Sequence, residues 1–591
     1  MKQFFKFMFA SMLGFLIMSV ILFLFFIGMI ASLATIMDKE AVKVAENTVL
    51  HIKFDTEIRD RSSKDPFSSI DFASMQPISS LGLNDILKNL EKASKDPNIK
   101  GIYLDLTSVQ TGFANVQEIR RALLKFKESE KFIIAYSETF SQGAYYLASV
   151  ADKIYLNPEG MLDFNGISAE LMFFKGTLEK LDLDMQIIRH GKYKSAVEPF
   201  MLEKMSPENR EQMMALINGV WKEVLNGISQ SRNISKDELN RIADELLIRK
   251  PEDAVSLRFV DGLKYHDEVI SELKNLTSTA EDTELETLTL AKYFDAPDPV
   301  KEKVDRQNRV AVVYAIGEII SGKGSDDVIG SDRIAEAIRD ARKDDKVKAI
   351  VMRVNSPGGS ALASDVILRE AKLAAAEKPF IVSMGNVAAS GGYYISAAAH
   401  TIYAEPSTIT GSIGVLGMIP NIEQTMKNKL GVTFDYANSN ANSDFMTLTK
   451  PLTPMQRDVI QGYIEDVYKT FVNHVVEGRG MTFEQVDEIG QGRVWIGSDA
   501  LEIGLVDELG GINEAIAAAA AKAELDTYSI KEFPVQKDFF EQLLEELTGE
   551  SSMEARIRAE LGPQYRLYQQ LRYWQNASGI QARMPFDIYL N

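Results

Sequence analysis

From Phe7 to Met37 the chain carries no charged residue, and Leu, Phe, Ile and Met dominate. About 20 apolar residues cross a bilayer as a helix, so this run spans with tilt to spare. A secretory leader has a shorter apolar centre, roughly 7–15 residues, although Ala31-Ser-Leu-Ala34 has the small residues of a cleavage site. The pattern predicts a retained membrane anchor within residues 1–46. Lys2 and Lys6 precede the run, and Asp38, Lys39 and Glu40 follow it. The positive-inside rule then places the N-terminus in the cytoplasm and everything after residue 40 outside it.

Beyond residue 46 the pattern changes to short apolar runs alternating with helix-period segments. In the C-terminal half the runs are Val310–Ile316, Ala349–Val354, Phe380–Met384 and Thr401–Ala404. Helical segments such as Ser364–Ala376 and Gly391–Ala399 separate them. This alternation predicts parallel βαβ units. The pattern also repeats. Lys100-Gly-Ile-Tyr-Leu-Asp-Leu106 resembles Lys348-Ala-Ile-Val-Met-Arg-Val354 at an offset of 248 residues. The same offset lays Gly143-Ala-Tyr-Tyr-Leu147 on Gly391-Gly-Tyr-Tyr-Ile395, and Pro158 on Pro406. Two duplicated domains are expected, 47–275 and 306–525. Residues 276–305 are rich in Thr, Glu, Asp and Pro and read as a linker. Residues 61–82 read as a surface loop. The tail, 526–591, shows helical periods at 539–547, 553–561 and 565–574, suited to packing or oligomer contact.

Composition narrows the function. A chain of 591 residues exceeds one hydrophobic core. A net charge of −19 speaks against a nucleic-acid partner, because phosphate binding needs clustered Lys and Arg. With no cysteine, disulfides, thiolate catalysis and Cys-ligated metal are excluded. The five histidines form no ligand pair, and no metal or cofactor is expected.

Candidate chemistry lies in the C-terminal half. The run Ala349–Val354 leads into Asn355-Ser-Pro-Gly-Gly-Ser360, a turn whose glycines permit positive φ and turn N–H groups towards a ligand. Phe380–Met384 leads into Gly385-Asn-Val-Ala-Ala-Ser-Gly-Gly-Tyr393, which sets Ser390 where a loop enters a helix. Alone, such a serine reads equally well as a helix N-cap. As a nucleophile it would have oxyanion donors from Gly391 and from the Gly358–Gly359 turn, since a helix N-terminus offers free N–H groups. A serine needs a base. His400 falls at the far end of the following helix, out of reach, and no other histidine has a supporting motif. A lysine base becomes the alternative, its ordinary pKa of about 10.4 pushed far down by burial. Lys192 and Lys194, in Gly191-Lys-Tyr-Lys-Ser-Ala-Val-Glu-Pro-Phe200, are not separable on these grounds.

Ala388-Ala-Ser-Gly-Gly-Tyr-Tyr394, Asn355-Ser-Pro-Gly-Gly359, Thr410-Gly-Ser-Ile-Gly-Val415 and Tyr193-Lys-Ser-Ala-Val-Glu-Pro-Phe200 together resemble signal peptide peptidase A in its long, duplicated bacterial form. The resemblance covers nearly the whole chain, anchor included. It implies two tandem Clp-protease/crotonase-like α/β domains after an N-terminal transmembrane helix. It implies a Ser–Lys dyad with Ser390 as nucleophile, Lys194 as base and Ser412 orienting the lysine. It also implies a tetrameric bowl and membrane-released signal peptides as substrates.

The repeat sharpens this expectation. At the same offset Ser390 falls on Gln142, Gly358 on Gln110, Gly359 on Thr111 and Ser412 on Phe164. The C-terminal counterpart of 189–194 is roughly Asn438–Ser443, which holds no lysine. Each half lacks what the other keeps, so one composite site per pair of halves is expected. Two other readings compete. A crotonase-type acyl-CoA enzyme is disfavoured outside the cytoplasm, where CoA is scarce. A non-catalytic membrane scaffold is disfavoured by the intact Ser390–Lys194–Ser412 set.

Overall fold

The structure is a computed structural model describing residues 2–37, 42–62, 70–71, 76–77, 81–300, 305–536 and 580–583. Helix α1 (Lys2–Met37) carries the apolar N-terminal run. Its segment Gln3–Phe25 is, among the described residues, the one stretch long and apolar enough to cross a membrane, and it is exposed throughout. The helical periods read at 539–574 lie outside the described residues, as does most of the 61–82 loop.

In the N-terminal half β1 (Thr48–Ile52), β2 (Ile99–Asp105), β3 (Phe132–Phe140) and β4 (Lys153–Leu162) pair in parallel. Parallel strands covered on both faces need apolar residues on both. Leu50, Ile102, Leu104 and Ile133 fill one face, with α2 (Phe113–Lys127) packed there. Val49, Tyr103, Ile134 and Tyr136 fill the other. After β4 come β5 (Asp184–His190), which leaves this sheet, and the long helix α3 (Pro207–Arg232). The sheet is completed by β6 (Gly262–Leu263) on β4 and β7 (Thr287–Thr289) on β1.

The linker expectation changes here. Residues 287–294 add an edge strand and a short helix whose Leu290 and Tyr293 are buried. Lys92 Nζ holds that helix by donating to Tyr293 O (2.6 Å) and Ala296 O (2.9 Å). A polar composition signals a loop, but the open ladder of β1 pairs with any extended backbone.

The C-terminal half repeats the plan with β8 (Arg309–Ile316), β9 (Val347–Ser356), β10 (Gly358–Ser360), β11 (Phe380–Ala389) and β12 (Thr401–Ala404). Helix α4 (Ala361–Ala375) stands at the 248-residue offset from α2. Helix α5 (Gly391–Ser396) follows β11 and ends three residues earlier than its apolar run. The short β13 (Ile409–Gly411) leads to β14 (Val415–Asn421), and β15 (Val494–Ile496) pairs with β13. The edge strand β16 (Ser529–Phe533) pairs with β8 as β7 does with β1, so the duplication runs past its readable sequence.

Among the contacts that join the halves, two position the site. The first is a strand pairing: β5 lies antiparallel on β14, from Asp184 opposite Asn421 to His190 opposite Val415. The second is a buried ionic cluster. Arg353, on β9, donates to Asp60 Oδ1 (2.6 Å), Glu118 Oε1 (2.6 Å) and Ser383 Oγ (2.9 Å), with all three charged groups out of solvent. Removing one partner from such a cluster costs about 3–5 kcal/mol, since it strands a buried charge.

Candidate active site

Antiparallel register decides what meets at the end of a strand pair. His190 faces Val415, so the chain leaving β5 runs beside the residues entering β14. Lys194 therefore comes to rest against Ser412 and Gly414. Its main chain is tied down on both sides. Tyr193 N donates to Gln491 O (3.0 Å), and Arg189 Nη1 donates to Lys194 O (2.9 Å). Its stem runs through a slot lined by glycine. A Cβ on Gly492 would stand 2.7 Å from Lys194 Cβ, and one on Gly414 would stand 3.2 Å from Cδ. Gly492 also has φ +79°, a conformation other residues adopt only under strain.

Ser390 arrives from β11. It caps α5 with φ 56° and ψ −113°, strained for a residue with a side chain. Such strain costs about 1–3 kcal/mol and persists only where the surroundings enforce it. Here Ser390 N donates to Gly411 O (2.8 Å), and Ser390 O accepts from Tyr394 N (2.8 Å). The strand-to-helix corner holds Oγ off the helix axis, where no side-chain cap bond forms.

The two side chains meet at 2.8 Å, Lys194 Nζ to Ser390 Oγ. Nζ also lies 3.0 Å from Ser412 Oγ and 3.1 Å from Ser412 O. Lys194, Ser390 and Ser412 are each fully buried. Burial alone pushes the Lys194 amine well below its ordinary pKa, because a charged ammonium cannot be hydrated there. A neutral amine has two N–H donors and one lone pair. Ser412 O can only accept. Ser412 Oγ can also accept, because its own hydrogen has Gly492 O in reach at 3.4 Å. Both N–H groups thus have acceptors on Ser412, and the lone pair is left facing Ser390 Oγ. This is the arrangement of a base beside a nucleophile.

The expected oxyanion elements flank the serine. Gly391 opens α5, so its N–H has no intrahelical acceptor. Gly358 (φ 99°) and Gly359 (φ 157°) form β10 beside it, although Gly358 N–H donates to Ser356 Oγ (3.1 Å). His400 stands away from the site, its Nδ1 accepting from Phe380 N (3.1 Å). Gln142 stands in the other half at the offset position of Ser390. Its amide bonds Gly166 O (3.3 Å), Gly166 N (3.1 Å) and Asn165 N (3.3 Å). Sequence reasoning missed Gly414, Gly492 and Arg189. Nothing local marks them, since their importance comes from the lysine that packs against them.

Comparison with known proteins fits this geometry. The profile described as "Peptidase family S49" matches residues 125–280 and again 372–526. "Protease 4" of Salmonella typhi is 39% identical over 487 residues, covering 81% of this chain and 78% of that protein. "Serine protease SPPA, chloroplastic" of Arabidopsis thaliana is 33% identical, covering 76% of this chain and 66% of that one. A "Putative signal peptide peptidase SppA" of Enterococcus faecium is 32% identical, covering 42% of this chain and 74% of that one.

The buried amine predicts a linkage. Unfolding frees a lysine of ordinary pKa, which takes up a proton at any pH between the depressed folded value and about 10.4. Wild-type stability should therefore rise with pH across that window, relative to Lys194→Met, by up to about 1.4 kcal/mol per pH unit. Denaturation of both proteins at pH 7, 8, 9 and 10 checks this. A constant difference would mean that Lys194 is charged in the fold.

Proposed function

Since the chain belongs to peptidase family S49, we propose that Ser390 is the nucleophile of a serine endopeptidase and Lys194 its general base. The chain is a serine peptidase; the dyad is the finer reading. The observation that carries it is the 2.8 Å approach of a fully buried lysine amine to a strained serine hydroxyl. Ser390 Oγ attacks the peptide carbonyl as its proton passes to Lys194 Nζ. The oxyanion is met by Gly391 N–H and the Gly358–Gly359 turn. The lysine, now charged, gives its proton to the leaving amine, and a water activated by the same amine releases the acyl group. Ser412 orients the lysine throughout.

An extended peptide as substrate has its own support. Strand β17 (Ile580–Arg583), from the chain's own C-terminal region, pairs antiparallel with β10, Gly359 opposite Ala582. It also pairs with β14, Leu416 opposite Gln581. The slot beside the oxyanion glycines thus accepts backbone in strand form, the mode in which peptides add to an open sheet edge. Signal peptides as the natural substrates follow from the family resemblance, the name of the Enterococcus faecium relative and the apolar helix α1. That helix would anchor the enzyme beside the membrane that receives them, with its body on the periplasmic side.

The full-length protein in detergent tests the dyad. With an apolar peptide ester, Ser390→Ala and Lys194→Ala should each lower turnover by roughly a thousandfold or more. Undiminished turnover in both would sink the dyad. An inert wild type would favour the scaffold.

The duplication also supports a homo-oligomer, a tetramer by family resemblance. Helix α2 is sandwiched between the halves, Gln117 accepting from Ser407 N (3.2 Å) and Glu118 from Arg353 (2.6 Å). Its repeat partner α4 turns Leu362 (71% exposed) and Val366 (39%) outward on the corresponding face. A second copy would cover that face as the C-terminal half covers α2, head to tail. Leu362→Glu combined with Val366→Glu should reduce the mass measured by light scattering to that of a smaller species. An unchanged mass with native circular dichroism would exclude this face.

A further inference from the structure

Helix α3 begins beside the lysine loop. Its cap, Ser206, and Asn209, three residues on, both bond the buried carboxylate of Glu198, four residues beyond Lys194. One turn into the helix stands Gln212, with no solvent exposure. Its amide Nε2 donates to Ser195 Oγ (2.7 Å) and lies 3.2 Å from Tyr193 O. Those groups belong to the residues immediately after and before Lys194. A third neighbour, Asn209 Oδ1, lies at 3.2 Å. The Gln212 Oε1 atom points the other way and accepts from Val494 N (3.3 Å), on the C-terminal half.

We infer that Gln212 is a positioning residue that sets Lys194 Nζ at attacking distance from Ser390. The bonds around it form a closed circuit. Gln212 brackets the lysine on both sides and grips β15 at Val494. Val494 is paired with Gly411 across β15 and β13. Gly411 O accepts the N–H of Ser390. A single side chain thus references the base loop of one half to the main chain that carries the nucleophile in the other. A glutamine suits this post because it holds two donors and an acceptor on one rigid plane. Neither Met nor Glu reproduces the set. Met removes every polar group. Glu keeps the acceptor for Val494 but turns oxygens on Tyr193 O and Ser195 Oγ, and it adds a negative charge that favours a protonated Lys194.

The inference rests on the Ser–Lys reading, so the test carries a control for it. The rate at which a fluorophosphonate labels Ser390 is followed from pH 6 to 10 in the full-length protein, with Lys194→Ala alongside. Gln212→Met should label about ten- to a hundredfold more slowly. Its kcat on a peptide ester should fall by the same factor with KM unchanged, because no substrate contact is lost. Gln212→Glu, nearly the same shape, should move the midpoint of the profile to higher pH. It carries the test alone if the Met variant does not fold. A folded Gln212→Glu with wild-type rate and midpoint overturns the inference while leaving the dyad intact. A Lys194→Ala protein that labels at the wild-type rate overturns the dyad itself.

Discussion

Antiparallel strands fix not only which residues face each other but which meet where the ladder ends. Among the described residues, the pairing of β5 with β14 is the one place where a strand of the N-terminal half enters a sheet of the C-terminal half. A slip of one residue would turn every side chain of β5 to the opposite face. It would also carry Lys194 past Ser412 and out of the slot left by Gly414 and Gly492. The site is thus a property of register. Ile187 and Ile188, buried on opposite sides of β5, hold that register by packing into two separate clusters.

The same geometry explains why the site sits within the body of the fold. A lysine on the surface is a cation and no base. Burial removes the charge, but a buried amine with unmet donors would be destabilising. Ser412 resolves the conflict by accepting both N–H groups and leaving the lone pair for Ser390. The strained Ser390 corner and the buried amine both reduce stability, and the surroundings hold them: the Arg353 cluster between the halves, the Ser390–Gly411 bond, and the helix that brings Gln212. Local rules broken at a functional site and upheld around it are the usual signature of such sites.

Much of this was legible in the sequence, and for identifiable reasons. The duplication showed because strands and helices recur at one spacing, and α2 and α4 stand at that spacing. Ser390 showed because a strand-to-helix corner needs small neighbours. The choice of Lys194 over Lys192 was not legible in residue chemistry and came from the resemblance alone; in space Lys194 is the lysine that lies beside Ser390, while Lys192 is exposed. Gln212, Gly414 and Gly492 were invisible because their partners lie far off in sequence. Residues 287–294 were misread because polarity marks loops well but says nothing about edge strands, which pair through backbone.

If the uncharged amine at position 194 takes the proton of Ser390, the basicity of that amine sets the pH dependence of the reaction. Because the chain has no cysteine, Lys194→Cys creates a unique thiol. Alkylating it in the unfolded chain with 2-bromoethylamine and refolding rebuilds a lysine-like side chain whose amine is less basic, owing to the sulfur. Activity lost in Lys194→Cys should return on alkylation, with the acid limb of its pH profile moved to lower pH. Activity that stays lost in a refolded, alkylated protein, or that returns with the limb unmoved, would contradict it.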